Sequence, residues 1–268
     1  MSFIEIAASE GVVFTEKLDA RTLIIDDIGT FDLSEFVSSV KQYAYQKKLA
    51  KISIKVKESD AIYFFQHGFK VEASIMAYYG MQDVFFVVYY LDDVHVHNQF
   101  ANEHNLILEK GYESSKSALC QNEVDRVTIT SGVIEQNIKG KEKIVFAGRE
   151  HSLNSQSHQK RFYAQMGSKA VATACAHYDK NTKVVEFSGF SANLEFDIRQ
   201  LINHLFLDME SYYLSIGCQT AYTIMPASSL AITAICIEND FEFGGRLTNE
   251  LVDKSGKLDS LNTWFKRL

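Results

Sequence analysis

The sequence predicts an α/β fold built from two related units, the first truncated and the second complete. Three observations predict it. Short β-branched and aromatic runs alternate with stretches of helical period, and the order strand, helix, strand, helix, strand, strand occurs twice. Residues 183–203, KVVEFSGFSANLEFDIRQLIN, pass from an alternating strand through a short polar turn into a long amphipathic helix. The helix openings of the two units also match, Phe31-Asp32-Leu33 recurring as Phe196-Asp197-Ile198.

Taken in order, residues 12–14 and 22–28 read as strands, the second carried by its Leu-Ile-Ile run. A helix follows with the apolar stripe Leu33, Phe36, Val37, Val40 and Ala44, opened by Asp32 and Glu35 at capping-box spacing. Residues 51–56 form a strand, Ser59 caps a shorter helix ending at Gly68, and 70–79 with 83–91 make a closing β pair across Gly80. In the second unit the strand at 184–190 leads to a helix at 197–214, a strand at 219–225 and a helix at 228–237. Residues 241–251 and 260–267 close it. Between the units, 92–98 reads as a linker, 102–108 as a helix, and 124–131 and 134–138 as strands. A polar loop at 150–160 precedes a hairpin of 162–166 and 170–178 around Gly167. The domain boundary falls between residues 95 and 96.

Composition bounds the rest. A chain of 268 residues that is 46% hydrophobic with a single proline has ample material for a core. A net charge of -7 and a pI near 5.6 argue against broad phosphate-backbone binding, so nucleic acid is not an expected partner. The apolar run 84–91 is too short to span a bilayer, and residues 1–14 lack a secretory pattern, so the expectation is a cytoplasmic protein without a membrane partner. Cys120, Cys175, Cys218 and Cys236 show no CxxC spacing and read as reduced thiols. His95, His97 and His104 are metal-capable residue types, but the segment carries no further ligand pattern and no metal is expected.

Several segments resemble one family. Ala221-Tyr222-Thr223, Phe243-Gly244-Gly245-Arg246-Leu247 with Asn249, and the ending from Leu261 through Trp264 to Leu268 are similar to the C-terminal half of β-lysine N-acetyltransferases of the GNAT superfamily. In the first unit, Gly68-Phe69-Lys70-Val71-Glu72-Ala73-Ser74-Ile75 with Tyr78, Tyr79 and Asp83 resembles that family's N-terminal GNAT-like fragment. The resemblance implies the GNAT acyl-CoA N-acyltransferase fold. That is a mixed, mostly antiparallel sheet flanked by helices, splayed so that acetyl-CoA enters beside the strand leading into the long helix. It implies acetyl transfer to a small-molecule amine, β-lysine or a related diamino acid, and is compatible with a homodimer.

By the same resemblance, Phe190, Ser191 and Ala192 would hold the acetyl-CoA arm and stabilise the oxyanion through their backbone. Ile198, Arg199, Gln200 and Leu201 at the helix start, with Thr233, would complete the cofactor site. Arg246 and Asn249 would face the substrate. The family's Arg and two loop glycines are replaced by Asp197, Ile198 and Gln200, and its helix-ending glycine and thiolate-protonating Tyr by Asp240 and Ile237. Asp197 and Gln200 also form a capping pair, in competition with a pyrophosphate. Acetyl transfer needs a base and an acid. Glu186, on the strand face of Ser188 and Phe190, is the candidate base, and Tyr222 is the candidate acid. The alternative function is a GNAT-like binding or assembly protein without acetyl-CoA chemistry.

Overall fold

The computed structural model describes residues 3–114, 127–132, 143–146, 148–149 and 158–268. These fall into two compact units. Residues 3–100, Arg149 and 244–261 belong to unit 1, and the remaining described residues belong to unit 2. The expected boundary after residue 95 did not anticipate that residues 244–261 group with the N-terminal part of the chain.

Unit 1 runs through α1 (Phe3–Glu10), β1 (Val13–Lys17), β2 (Thr22–Asp27), α2 (Leu33–Gln46), β3 (Lys51–Lys57), α3 (Glu58–Gln66), β4 (Lys70–Tyr79), β5 (Gln82–Tyr90) and α4 (Asp93–Val96). Its strands lie in the order β1-β2-β3-β5-β4. β2 and β3 are parallel, from Thr22 opposite Lys51 to Ile25 opposite Ile54, and the other neighbours in this run are antiparallel. Alternation on β3 sends Ile52, Ile54 and Val56 into a core with Phe36, Val37 and Val40 of α2 and Phe64 of α3. Asp32 caps α2, its carboxylate accepting the N–H groups of Ser34 and Glu35.

One element was not expected, and two expectations are corrected. The N-terminal stretch forms α1, whose Phe3 and Ala7, four residues apart, are both buried. Lys57, not Ser59, is the N-cap of α3, and Ser59 instead donates to Asp60 at 3.0 Å. The linker at 92–98 contains α4, capped by Asp92 through the N–H of His95.

Unit 2 comprises α5 (Ala101–Ser114), β6 (Val127–Gly132), β7 (Lys143–Val145), β8 (His158–Met166), β9 (Lys169–Asp179), β10 (Val184–Asn193), α6 (Ile198–Ser215), β11 (Thr220–Pro226) and α7 (Leu230–Glu238). Two final strands, β12 (Glu242–Val252) and β13 (Leu258–Arg267), give residues to both units. In unit 2 the strands run β6-β8-β9-β10-β11-β13, with β7 on β10. The expected helix at 102–108 extends to Ser114, and Gly111 permits its close packing on α7. A Cβ there would meet Thr233 Cγ2 at 2.6 Å. The strand expected at 134–138 and most of the loop at 150–160 lie outside the described residues, while 158–160 open β8.

α6 buries Leu201, Ile202, Leu205, Phe206, Met209 and Tyr213. These pack with Phe187 and Phe190 of β10, and the Phe190 and Phe206 rings stack with centroids 4.9 Å apart. Truncating such a buried aromatic costs about 3–5 kcal/mol, so this face fixes α6 against β10. The structure is thus a mixed α/β fold with a largely antiparallel sheet and helices, as expected. Among the described residues, no helix is long and apolar enough to cross a membrane.

Candidate functional site

The site in unit 2 is set by where two parallel strands stop pairing. β10 and β11 are in register from Val184 opposite Thr220 to Glu186 opposite Tyr222, and then they part. Just past that point Thr223 Oγ1 donates to the Phe187 carbonyl at 2.6 Å. β10 then breaks register with β9 between Ser188 and Ser191, with Gly189 at a φ of +60° that favours glycine. The result is a fork with β10 on one side and β11 on the other.

That irregularity corrects the expected facing of β10. Simple alternation puts Glu186, Ser188 and Phe190 on one face, yet Phe190 lies in the helix-side core with Phe187. The extra residues of the bulge reverse the sense of alternation. Glu186 therefore does not share a face with Phe190.

Glu186 and Tyr222, expected separately as base and acid, are brought together. The Tyr222 hydroxyl donates to Glu186 Oε2 at 3.0 Å, and the residues are only 6% and 5% exposed. Both lie in the last matched pair before the fork. On the other side of β10, His177 of β9 stands directly opposite Glu186. Sequence reasoning missed His177, whose only signal is the alternation of β9 against β10. A buried carboxylate beside a phenol and an imidazole is a set of groups able to pass protons.

The residues expected to hold the cofactor are engaged as follows. On the edge facing away from β9, the backbone of Ser191 and Ala192 pairs with β7, opposite Val145 and Ile144. The Phe190 carbonyl accepts the N–H of Phe146 at 2.9 Å. At the helix start, Asp197 accepts the Gln200 N–H at 3.2 Å, the capping contact its spacing implies. Arg199 is paired with Glu238 at the end of α7, its Nε donating to Oε2 at 3.3 Å, so its charge is already matched. Leu201 is buried in the core, and Ile198 packs against that core. A space of about 40 Å³ next to this turn is lined by residues including Asp197, Gln200 and His204. Thr233 is 1% exposed and faces Gly111 of α5.

The two expected substrate residues, Arg246 and Asn249, belong to unit 1. Asn249 has a φ of +55° and is 3% exposed. Its amide donates to the carbonyls of His95 and His97 at 3.1 and 3.2 Å, fastening the α4 turn. Burial lowers the Arg246 pKa, and Asp259 opposes that shift. The His95 ring is engaged at both nitrogens, with Asp92 Oδ1 at 3.2 Å and the Ala20 carbonyl at 2.9 Å. Among the described residues, no group of three His, Cys, Asp or Glu side chains is arranged to hold a metal ion.

Comparison with known proteins follows the geometry. No protein-family model matches the chain. A β-lysine N(6)-acetyltransferase of Methanococcus maripaludis is 21% identical over 246 residues, covering 88% of this chain and 89% of that protein. Among solved structures, a probable GNAT-family acetyltransferase from Chromobacterium violaceum aligns at 12% identity with a TM-score of 0.37. It covers 42% of this chain and 60% of its own, less than two thirds of its length. A Bacillus subtilis acetyltransferase in complex with CoA aligns at 13% identity and a TM-score of 0.37, covering 41% of this chain and 77% of its own. The chain is therefore similar over most of its length to a β-lysine N-acetyltransferase.

Proposed function

We propose that this protein is an acetyl-CoA-dependent N-acetyltransferase of the GNAT type, acting on a small-molecule amine such as β-lysine or a related diamino acid. The observation that carries this reading is the buried Glu186–Tyr222 pair at the mouth of the fork, in a chain similar over 88% of its length to a β-lysine N-acetyltransferase.

An alkylammonium group has a pKa of about 10.4, so at neutral pH a proton must leave before the nitrogen can attack. Glu186 takes that proton, directly or through one water. The neutral amine adds to the thioester carbonyl, and the tetrahedral intermediate collapses as the C–S bond breaks. Tyr222 gives its hydroxyl proton to the departing thiolate and recovers one from Glu186. The second ammonium proton leaves to solvent, so amide, thiol and one free proton balance the reaction.

The test is a thiol-release assay with acetyl-CoA and a panel of β-lysine, α-lysine and simple diamines. Turnover that is lost in Glu186→Gln and reduced in Tyr222→Phe is the expected result. Equal turnover of all diamines removes the narrow substrate assignment and keeps the class. Absence of both turnover and acetyl-CoA binding removes the enzyme reading.

The second reading is a non-catalytic binding or assembly protein, and a specific observation favours it. The strand edge, the helix start and the arginine that a donor cofactor would use are engaged by β7, Asp197 and Glu238.

A further inference from the structure

We propose that residues 143–146 and Gly148 form an internal plug in the β10–β11 fork, which an acyl thioester must displace before transfer can occur. The inference rests on the acetyltransferase reading, and it accounts for the occupied strand edge without abandoning the activity.

The plug touches both sides of the fork. On β10, Val145, Ile144 and Lys143 lie antiparallel to Ser191, Ala192 and Asn193, and the Phe146 N–H reaches the Phe190 carbonyl. β9 already holds the opposite edge through Thr173 and Ala172, so β7 takes the edge that β11 has vacated. On β11, Gly148 lies so near the backbone that a Cβ would stand 2.8 Å from the Ile224 carbonyl oxygen. Only a residue without a side chain allows that approach.

The occupant and the donor want the same groups. A strand added to an edge is held by main-chain hydrogen bonds, and an extended arm carrying amides satisfies the same N–H and C=O groups in the same geometry. The two therefore exclude each other on residues 190–193. Among the described residues the hold of the plug is local. β7 is three residues long, and Val145 is 47% exposed, while Phe146 at 7% exposed is its buried anchor in the core of unit 2. Phe146 acts as the latch.

When the competent form is a fraction of the population, apparent affinity falls by that fraction, and a variant that opens the plug recovers it. Phe146→Ala and Gly148→Val are the opening variants, one removing the anchor and the other the close approach. Val145→Cys with Ser191→Cys is the locking variant. The Phe146 N–H donates to the Phe190 carbonyl, which makes 145 and 191 a pair of the closer, non-bonded kind, with Cα atoms about 4.5 Å apart and within disulfide range.

Titration calorimetry of the full chain with acetyl-CoA is the measurement, with thermal unfolding run on each variant to establish that it is folded. The expected result is at least tenfold tighter binding in the opening variants. The oxidised lock should bind at least a hundredfold more weakly than the same protein after reduction. Equal affinity in the native, opened and oxidised forms overturns the plug and leaves the acetyltransferase reading standing. No binding in any form, the opened ones included, overturns both.

Discussion

The two parallel strand pairs of this protein, β2 with β3 in unit 1 and β10 with β11 in unit 2, begin alike and end differently. Each joins strands connected by a helix with an aspartate at its N-cap. β2 and β3 stay in register over four residues, and β2 ends at Asp27. β10 leaves β11 after Glu186, bulges at Gly189 and continues to Asn193 with β7 on its freed edge. The difference teaches that the opening comes from one irregular strand, not from the order of elements.

The polar groups differ in kind as well. In unit 1, Lys51 is fully buried, and its ammonium donates to Glu72 at 2.6 Å and the Thr248 carbonyl at 2.7 Å, with Glu250 at 3.3 Å. Arg149 lies 3.6 Å from Glu250, donates to Ser53 at 3.3 Å and stands over the Phe86 ring. Two cations and two anions balance, and such a set holds shape. In unit 2 the buried Glu186 carboxylate accepts the Tyr222 hydroxyl at a fork, an arrangement suited to moving a proton.

If that contrast is right, unit 1 substitutions should break stability and unit 2 substitutions should break activity. The largest expected effect is Lys51→Met. It takes a buried cation away from the part-buried Glu72 and from Glu250, which is left to Arg149 alone, and should cost about 3–5 kcal/mol, read as a shift in urea midpoint. The same network sets an acid limit. Burial raises the Glu250 pKa, but Arg149 and Lys51 outweigh it and hold the carboxyl below its ordinary value. A depressed folded pKa adds stability above the unfolded value near 4.3, and this is lost as pH falls through the folded pKa. The melting temperature should therefore fall steeply below about pH 4, and Lys51→Met should move that fall to higher pH. A flat profile between pH 5 and 3 would remove the network from the account of stability.

Glu186→Gln comes next and sharpens the comparison from the other side. The amide keeps the shape and still accepts from Tyr222, but takes no proton, so kcat/KM should drop about 10²–10⁴-fold with stability nearly unchanged. An equal loss of stability and activity would make Glu186 a structural residue like Glu250.

Much of this contrast was legible in the sequence, and the illegible part has a physical cause. The strand, turn and helix of 183–203 and both aspartate caps follow from local periodicity and hydrogen-bonding chemistry. The Glu186–Tyr222 contact was half legible, since both residues stood out, but their register depends on how two distant strands pair. The seat of β7 was not legible, because a three-residue strand has no pattern of its own and is defined by the edge that receives it. The reversal at Phe190 was hidden for a similar reason. A glycine in a strand announces irregularity without saying which side chains change face. Asn249 resembled a substrate residue, and nothing nearby in sequence revealed that its amide fastens the 95–97 turn.

Gly189→Ala tests the irregular strand directly. A φ of +60° disfavours a Cβ by roughly 1–2 kcal/mol, and this Cβ would also stand 3.3 Å from Cys175 Sγ. The expected outcome is that loss in denaturation together with weaker acetyl-CoA binding, as β10 relaxes toward regular alternation. A loss of stability with unchanged binding would separate the bulge from the fork.

The smallest effect separates the two capped helices. Asp197→Ala removes one capping bond from α6 and should cost about 1 kcal/mol, while also taking a negative charge away from the helix end where a pyrophosphate would rest. Asp32→Ala removes the corresponding bonds from α2 and so lowers stability too, with no fork nearby in its own strand pair. Acetyl-CoA affinity should rise severalfold in Asp197→Ala and stay fixed in Asp32→Ala. If neither changes, the phosphates do not use the α6 turn. The donor would then be held by the fork alone, and the glycine-free loop would be a consequence of that arrangement and no obstacle to it.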